Sequence, residues 1–294
     1  FCRCKPGPAV FRAKHRGLEL RFPVRRATCG NAHLPHYCAH HADAPPGCHN
    51  VIYIRSALFN VVFYVNLILF LVLGSGFFFT PRKWSIRALQ VWARSSLFWL
   101  RVIAGIKLEV RGQENIPEGS CLVAGKHQSF WETFAILPLL DDPAMVLKKE
   151  LTYLPFFGWF IYKFRMIPVE RSAGTQALRG MIEAAQEAVA LKRQVVIMPE
   201  GTRRAPDDPP DYKPGAAALY GKLDVPCVPF ALNSGLFWPR REFLRQPGTI
   251  ILSFLEPIPA GLNRKAFQPR LEEAIETETA RLVAEGRREI EKYK

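Results

Sequence analysis

The chain has 294 residues, 49% of them apolar, and carries 40 Lys and Arg against 26 Asp and Glu, a formal net charge of +14. That length and apolar content bury a sizeable core, which excludes gross disorder along the whole chain. The charge points to anionic partners, whether phospholipid headgroups, phosphate-bearing substrates or nucleic acid, and by itself does not choose among them.

Residues 1–50 differ in composition from everything after them. They hold five of the seven Cys, six of the seven His, eight basic and two acidic residues, and no periodic apolar run. This stretch reads as a disordered tail or as sequence upstream of the true start. Phe1 is no initiator, the first Met is Met145, and Val51 opens the first ordered-looking segment. The string CGNAHLPHYCAHH at 29–41 offers the usual zinc ligands, but its spacing matches no paired-ligand pattern. A disulfide framework there needs an oxidising compartment. No metal site is expected.

Residues 57–79, ALFNVVFYVNLILFLVLGSGFFF, are 23 positions without a charge, which meets the ~20-residue length of a bilayer crossing. The run is too long for a signal peptide, and no small-residue cleavage site follows it. Asn60, Asn66 and the Gly74-Ser75-Gly76 break leave room for a tilted or re-entrant segment instead of a straight span.

The next stretch, TPRKWSIRALQVWARSSLFWLRVIAGI at 80–106, sets Arg87, Arg94 and Arg101 seven residues apart, one basic stripe on a helix. Trp84, Trp92, Phe98 and Trp99 supply amphipathic rings suited to the headgroup zone. A core-packed helix with a solvated Arg face has the same pattern, but the position just after the apolar run and Arg82-Lys83 favours a membrane surface. Lys and Arg after the span place the rest of the chain on the cytoplasmic side, whereas a basic tail before it argues the reverse. A helical hairpin dipping into one leaflet satisfies both.

Beyond residue 105, short apolar runs alternate with helix-like segments. Strands are predicted at 106–110, 121–125, 144–149, 166–170, 195–199, 226–232 and 249–255, and helices at 130–140, 174–192, 214–223 and 266–293. This alternation predicts an α/β fold with a mixed, largely parallel sheet flanked by helices, preceded by the hydrophobic and amphipathic membrane-helix hairpin. The expected organisation is a tail at 1–50, membrane-associating helices at 51–104 and one domain at 105–294. FFGWFIYKF at 156–164 fits an acyl groove or an element packed into the core. The last helix reads as a solvated amphipathic cap without a role.

In such sheets chemistry gathers in the loops after strand ends. GKHQSFWETF, at 125–134, places there the only histidine after residue 50, His127, with Glu132 five positions on. Five helical residues turn about 500°, which separates the two side chains. His127 therefore belongs in the loop before the helix and Glu132 in its first turns. A carboxylate there fixes one imidazole nitrogen and leaves the other to take a proton. A hydrogen-bonded structural histidine is the competing reading of this stretch taken alone.

VVIMPEGTRR, at 195–204, runs a strand into Glu200, Gly201, Thr202 and Arg203. Glycine lets a backbone approach closely, and arginine offers a bidentate fork, the parts needed to grip a phosphate. An ordinary strand-to-loop turn with solvated charges fits any single such turn. No nucleotide-binding glycine loop accompanies it.

Taken in order, HQSFWE (127–132), KKELTYLPFFGW (148–159), IPVERS (167–172), PEGTR (199–203) and VPCVPF (225–230) resemble the blocks of the glycerophospholipid acyltransferase family. The likeness is nearest to its 1-acyl-sn-glycerol-3-phosphate acyltransferases and covers roughly residues 100–260. In that family a histidine followed five positions later by aspartate acts as general base, which implies catalytic roles for His127 and Glu132. Glutamate in place of aspartate adds one methylene and opens the question of where the carboxylate lies. The resemblance assigns Arg171, Glu200, Gly201, Thr202 and Arg203 to substrate phosphate binding, and Lys148 as a further cation there.

The resemblance also implies the reaction: an acyl chain passes from acyl-CoA or acyl-carrier protein to the sn-2 hydroxyl of lysophosphatidic acid, giving phosphatidic acid for phospholipid biosynthesis. No cofactor is expected beyond that acyl donor as co-substrate. The expected partners are the phospholipid bilayer, lysophosphatidic acid and the acyl donor, not nucleic acid, with the chain at a bacterial-type inner membrane and its catalytic domain cytoplasmic. Cys121 and Cys227 read as buried small residues and not as nucleophiles. The rival readings are an acyltransferase for another lysolipid, such as a lyso-ornithine lipid, and a non-catalytic membrane protein that binds anionic lipids.

Overall fold

The computed structural model of the chain describes residues 46–170 and 174–292, which pack as one unit. The start-site, zinc and disulfide readings of the first residues lie outside the described residues, and so does Arg171.

Helix α1 (Pro46–Leu73) passes through a 3-10 segment, Gly74–Phe79, and α2 (Arg82–Trp99) returns beside it. A π-helical turn, Leu100–Ala104, then hands the chain to the sheet through Gly105. The segment Asn50–Phe79 is long and apolar enough to cross a membrane, and its most apolar window is only 17% buried.

Several polar residues of α1 are paired. Asn66 donates to Ser96 at 3.0 Å and accepts from Ser95 at 3.2 Å, which ties α1 to α2. Ser56 accepts the Arg245 backbone amide at 2.8 Å, and Asn60 accepts the Arg245 guanidinium at 3.2 Å. Phe59 and Phe63 are buried against Trp238, and Phe63 also meets Phe134. One stripe of α1 thus lies along the rest of the protein, while Ile54, Leu58, Val61, Val65, Leu69 and Val72 are exposed. On α2 and the π-helical turn after it, the Arg87, Arg94 and Arg101 stripe stands outward with Trp84, Phe98 and Trp99. Trp92 departs from expectation: it is buried against Phe63, Phe70 and Phe134 and is a core residue.

All seven predicted strands form, as β1 (Ile106–Arg111), β2 (Cys121–Gly125), β3 (Pro143–Lys148), β4 (Ile167–Val169), β5 (Gln194–Ile197), β6 (Cys227–Leu232) and β7 (Gly248–Phe254). They make one sheet in the order β1-β7-β6-β2-β5-β3-β4. Every neighbouring pair is parallel except β6 with β7. The remaining helices are α3 (Glu132–Ala135), α4 (Phe157–Lys163), α5 (Gly174–Ala190), α6 (Gly215–Leu223), α7 (Ser234–Phe237) and α8 (Arg264–Glu291).

Both faces of the sheet are covered, so its central strands are apolar on both sides. Alternate residues of β2 divide between two cores: Cys121 and Val123 pack with the hairpin and α3, Leu122 and Ala124 with α5, α6 and the first half of α8.

Two helix expectations need correction. The helix predicted at 130–140 is only the four residues of α3 followed by a 3-10 turn at Leu137–Leu139, because Pro138 lacks the amide needed to continue an α-helix. The C-terminal helix is no solvated cap. It buries Phe267, Leu271, Ile275, Leu282 and Val283 at helical spacing, and its Glu276 reaches the site described next.

Candidate active site

Strands β6, β2 and β5 are adjacent and parallel, so their carboxyl ends open on the same edge of the sheet. Three loops meet there: the one after β2 with His127, the one after β5 with residues 200–203, and the start of α7 after β6 with Ser234.

The loop after β2 wraps around the Glu132 carboxylate. Glu132 is the first residue of α3 and is fully buried. Its Oε1 accepts the backbone amides of Gln128 and Ser129 at 2.6 and 2.7 Å and lies 2.9 Å from His127 Nδ1. Its Oε2 accepts from Ser234 Oγ at 2.9 Å. The extra methylene of glutamate is thus taken up by a loop closed on the carboxylate. With Nδ1–H given to Glu132, Nε2 carries the free lone pair. The His127 side chain is 16% exposed.

The loop after β5 turns at Gly201, whose φ of +64° falls in the left-handed region that favours glycine. Thr202 and Arg203 follow, both partly buried. Among the described residues no carboxylate pairs with the Arg203 guanidinium. Burial chiefly, with Arg240 and then Arg241 adding and Glu132 opposing, holds it below the usual arginine range. Arg240 also donates to the Arg203 carbonyl at 2.9 Å. The site therefore places a proton acceptor beside a partly desolvated cation and two further arginines.

Behind His127 lies a buried charge network. Lys126 is buried between Glu200 Oε1 at 3.0 Å and Glu276 Oε1 at 2.7 Å, and Tyr212 donates to the same Glu276 oxygen at 2.8 Å. Burial raises the Glu200 carboxyl above its usual range, with Lys126 opposing. Glu200 thus turns its carboxylate to a lysine, apart from Gly201, Thr202 and Arg203 in the same loop. The Arg204 amide, donated to the His127 carbonyl at 2.8 Å, joins the two loops directly.

Of the residues picked from sequence, His127, Glu132, Glu200, Gly201, Thr202 and Arg203 come together. Lys148 does not join them: it ends β3, on the far side of β5 from β2, and is exposed. Lys149 next to it pairs with Glu170 at 2.6 Å. Sequence reading missed Lys126, Ser234, Glu276, Arg240 and Arg241. Only Arg240 and Arg241 left a signal, a basic pair soon after a strand end.

Cys121 and Cys227 are buried, and burial pushes the Cys121 thiol up to about 12 and the Cys227 thiol well above its ordinary value. Neither is a thiolate nucleophile. Among the described residues no three His, Cys, Asp or Glu side chains cluster as metal ligands. A cavity of about 490 Å³ between β1, β7 and α8, lined by Glu109, Thr249, Glu285 and Glu289, contains none of the site residues.

Residues 107–233 match the family model described as Acyltransferase. A 1-acyl-sn-glycerol-3-phosphate acyltransferase of Pseudomonas aeruginosa is 40% identical over 161 residues, 55% of this chain and 63% of that protein. The human 1-acyl-sn-glycerol-3-phosphate acyltransferase beta is 28% identical over 170 residues, 57% of this chain and 61% of that protein. The chain spans less than two thirds of the length of these curated relatives. The crystal structure of the 1-acyl-sn-glycerophosphate (LPA) acyltransferase PlsC from Thermotoga maritima superposes with a TM-score of 0.65 at 24% identity, over 79% of this chain and 97% of that one, and shares its fold.

Proposed function

We propose that this chain, whose residues 107–233 match the acyltransferase family model, transfers an acyl chain from a thioester to the sn-2 hydroxyl of 1-acyl-sn-glycerol 3-phosphate. The observation that carries this reading is the His127 Nδ1 to Glu132 contact at 2.9 Å beside the unpaired Arg203. It joins a general base to an anion-binding cation, the two functions that acylation of a phosphate-bearing alcohol needs.

His127 Nε2 takes the proton of the sn-2 hydroxyl as its oxygen attacks the thioester carbonyl of acyl-CoA or acyl-carrier protein. Glu132 stabilises the imidazolium that forms. The tetrahedral intermediate collapses with cleavage of the carbon–sulfur bond, and the imidazolium returns its proton to the departing thiolate. Products are phosphatidic acid and free thiol, with no covalent enzyme intermediate. Gly201, Thr202 and Arg203 hold the phosphate, with Arg240 and Arg241 adding positive potential. Arg171 is assigned to the same anion through the family blocks alone, whereas Lys148, beyond β5 from the site, is left out of it.

The hairpin is proposed to rest in one leaflet. Contacts from Ser56 to Phe70 keep α1 beside the rest of the protein, while its outer stripe is apolar. Drawing a chain of about 14 methylenes into water costs ~11 kcal/mol at ~0.8 kcal/mol each. An enzyme lying on the bilayer avoids that step.

The test is thiol release from acyl-CoA or acyl-carrier protein by purified wild type and His127→Ala, with and without lysophosphatidic acid. Release that needs both the lipid and His127 supports the reading. Absence of release across several lysolipids with both donors would leave a lipid-binding protein.

A further inference from the structure

The hairpin leaves uncovered a second apolar surface, built on the segment between β3 and β4. A 3-10 turn, Lys149–Tyr153, leads through Leu154 and Pro155 into α4. Tyr153, Leu154, Phe156, Trp159 and Tyr162 are all exposed, Trp159 by 58% and Tyr162 by 64%. Inward, Phe160, Ile161 and Phe164 are buried. Part of the stretch read from sequence as an acyl groove or packed element thus packs inward, and the rest faces out.

The backbone holds these rings outward at a cost. Phe156 sits at φ +60° and ψ −52°, and the Phe157 amide donates to the Pro155 carbonyl at 2.6 Å. This is a γ-turn of the rare, strained hand centred on a bulky residue. The Phe156 ring meets Trp159 edge-on at 5.1 Å. Gly158 lets the turn close on α4, since a Cβ there would lie 2.0 Å from the Thr152 carbonyl oxygen.

The segment is also locked to the tip of the hairpin. Phe160 stacks on Phe70 at 5.2 Å and meets Phe78 at 4.7 Å. Lys163 donates to the Phe78 and Thr80 carbonyls at 2.9 and 2.6 Å. The adjoining Phe79 is 95% exposed, so the apolar surface continues from α1 across the tip towards α4. Exposed Lys148 and Arg165 flank the segment and Lys83 stands at the start of α2, against one exposed acid, Glu150, within it. Lys149 is paired with Glu170. Tyr and Trp with a basic fringe are the composition of a membrane interface.

We propose that residues 153–162 are a second membrane-inserting element, a rigid aromatic wedge fixed to the hairpin tip, whose rings enter the interfacial zone of an anionic bilayer. It rests on the reading that the hairpin lies in one leaflet. The wedge gives the protein a second point of attachment and so fixes its rotation about the hairpin.

The full chain is placed on vesicles of phosphatidylcholine and phosphatidylglycerol, with and without lipids brominated near the headgroup end of the acyl chains. Emission of Trp159 is taken as wild type minus Trp159→Phe, and that of Trp84 as wild type minus Trp84→Phe. The expected result is a blue shift and bromine quenching of both. Quenching of Trp84 alone overturns the wedge and leaves the hairpin standing. Quenching of neither overturns both. A Trp159 emission that follows protein concentration and not lipid places a second copy on this face and overturns the wedge.

As a second readout, Trp159→Asp should lower thiol release with vesicle-borne lysophosphatidic acid by at least about threefold relative to release in detergent. An equal loss in both settings argues against the wedge. Should wild type release no thiol in either setting, the acyltransferase reading fails, while the quenching still decides the wedge.

Discussion

Ser234 donates its hydroxyl to the Glu132 carboxylate at 2.9 Å across 102 residues of sequence, so the end of β6 helps to hold the acid partner of His127. Ser234→Ala removes one of several donors and leaves the His127 contact in place. Its kcat should fall by about tenfold or less with KM for lysophosphatidic acid unchanged, from the ~1.5–3 kcal/mol of a hydrogen bond to a charged group shared with the remaining donors. Glu132→Gln should fall by about 10²–10⁴. Steady-state kinetics on both variants checks the order.

His127→Ala removes a partly exposed ring from the edge of the site. Thiol release should fall by about 10²–10⁴. Thermal unfolding should stay close to wild type, because Glu132 keeps the Gln128 and Ser129 amides and the Ser234 hydroxyl as donors. A large drop in melting temperature would mean that the imidazole serves the fold.

Arg203→Ala should raise KM for lysophosphatidic acid by about tenfold to a hundredfold, the equivalent of ~1.5–3 kcal/mol for a hydrogen bond to a charged group. Its kcat should change less, since the phosphate is remote from the reacting carbonyl. An unchanged KM removes Arg203 from the anion site. Gly201→Ala should move the same parameter, because alanine at φ +64° is strained by ~1–2 kcal/mol and shifts the turn that aims Arg203.

Lys126→Met leaves Glu200 buried without its cation, which should cost ~3–5 kcal/mol. The cost depends on pH in a defined direction. Burial raises the folded-state pKa of Glu200 above its unfolded value, and loss of Lys126 raises it further. Over that window the folded protein binds the extra proton, so stability falls as pH rises above the ordinary carboxylate range of about 4. The variant should be nearest to wild type in acid and fall behind as pH rises. Glu200→Gln in the same background should flatten that slope, as chemical denaturation across pH would register.

The strands were legible in sequence because each is a local property, a short apolar run bounded by turn residues; CLVAG at 121–125 matches β2 residue for residue. The placement of His127 in a loop and Glu132 at a helix start was legible as well, since helical rotation over five residues forbids the alternative. The break after α3 followed from Pro138 and could have been read. The burial of α8 was obscured by its charged residues, although Phe267, Leu271 and Ile275 recur at helical spacing. Strand order, the pairing of Lys126 with Glu200 and Glu276, and the contact of Ser234 with Glu132 were not legible. They join residues 74 to 150 positions apart, and only the packing of β6, β2 and β5 side by side brings them together. Sequence alone determined which chemical groups stand at strand ends. The tertiary structure decided which of them meet at one edge of the sheet and which neutralise one another in the interior, because burial allows a charge only where a partner is brought within hydrogen-bond reach.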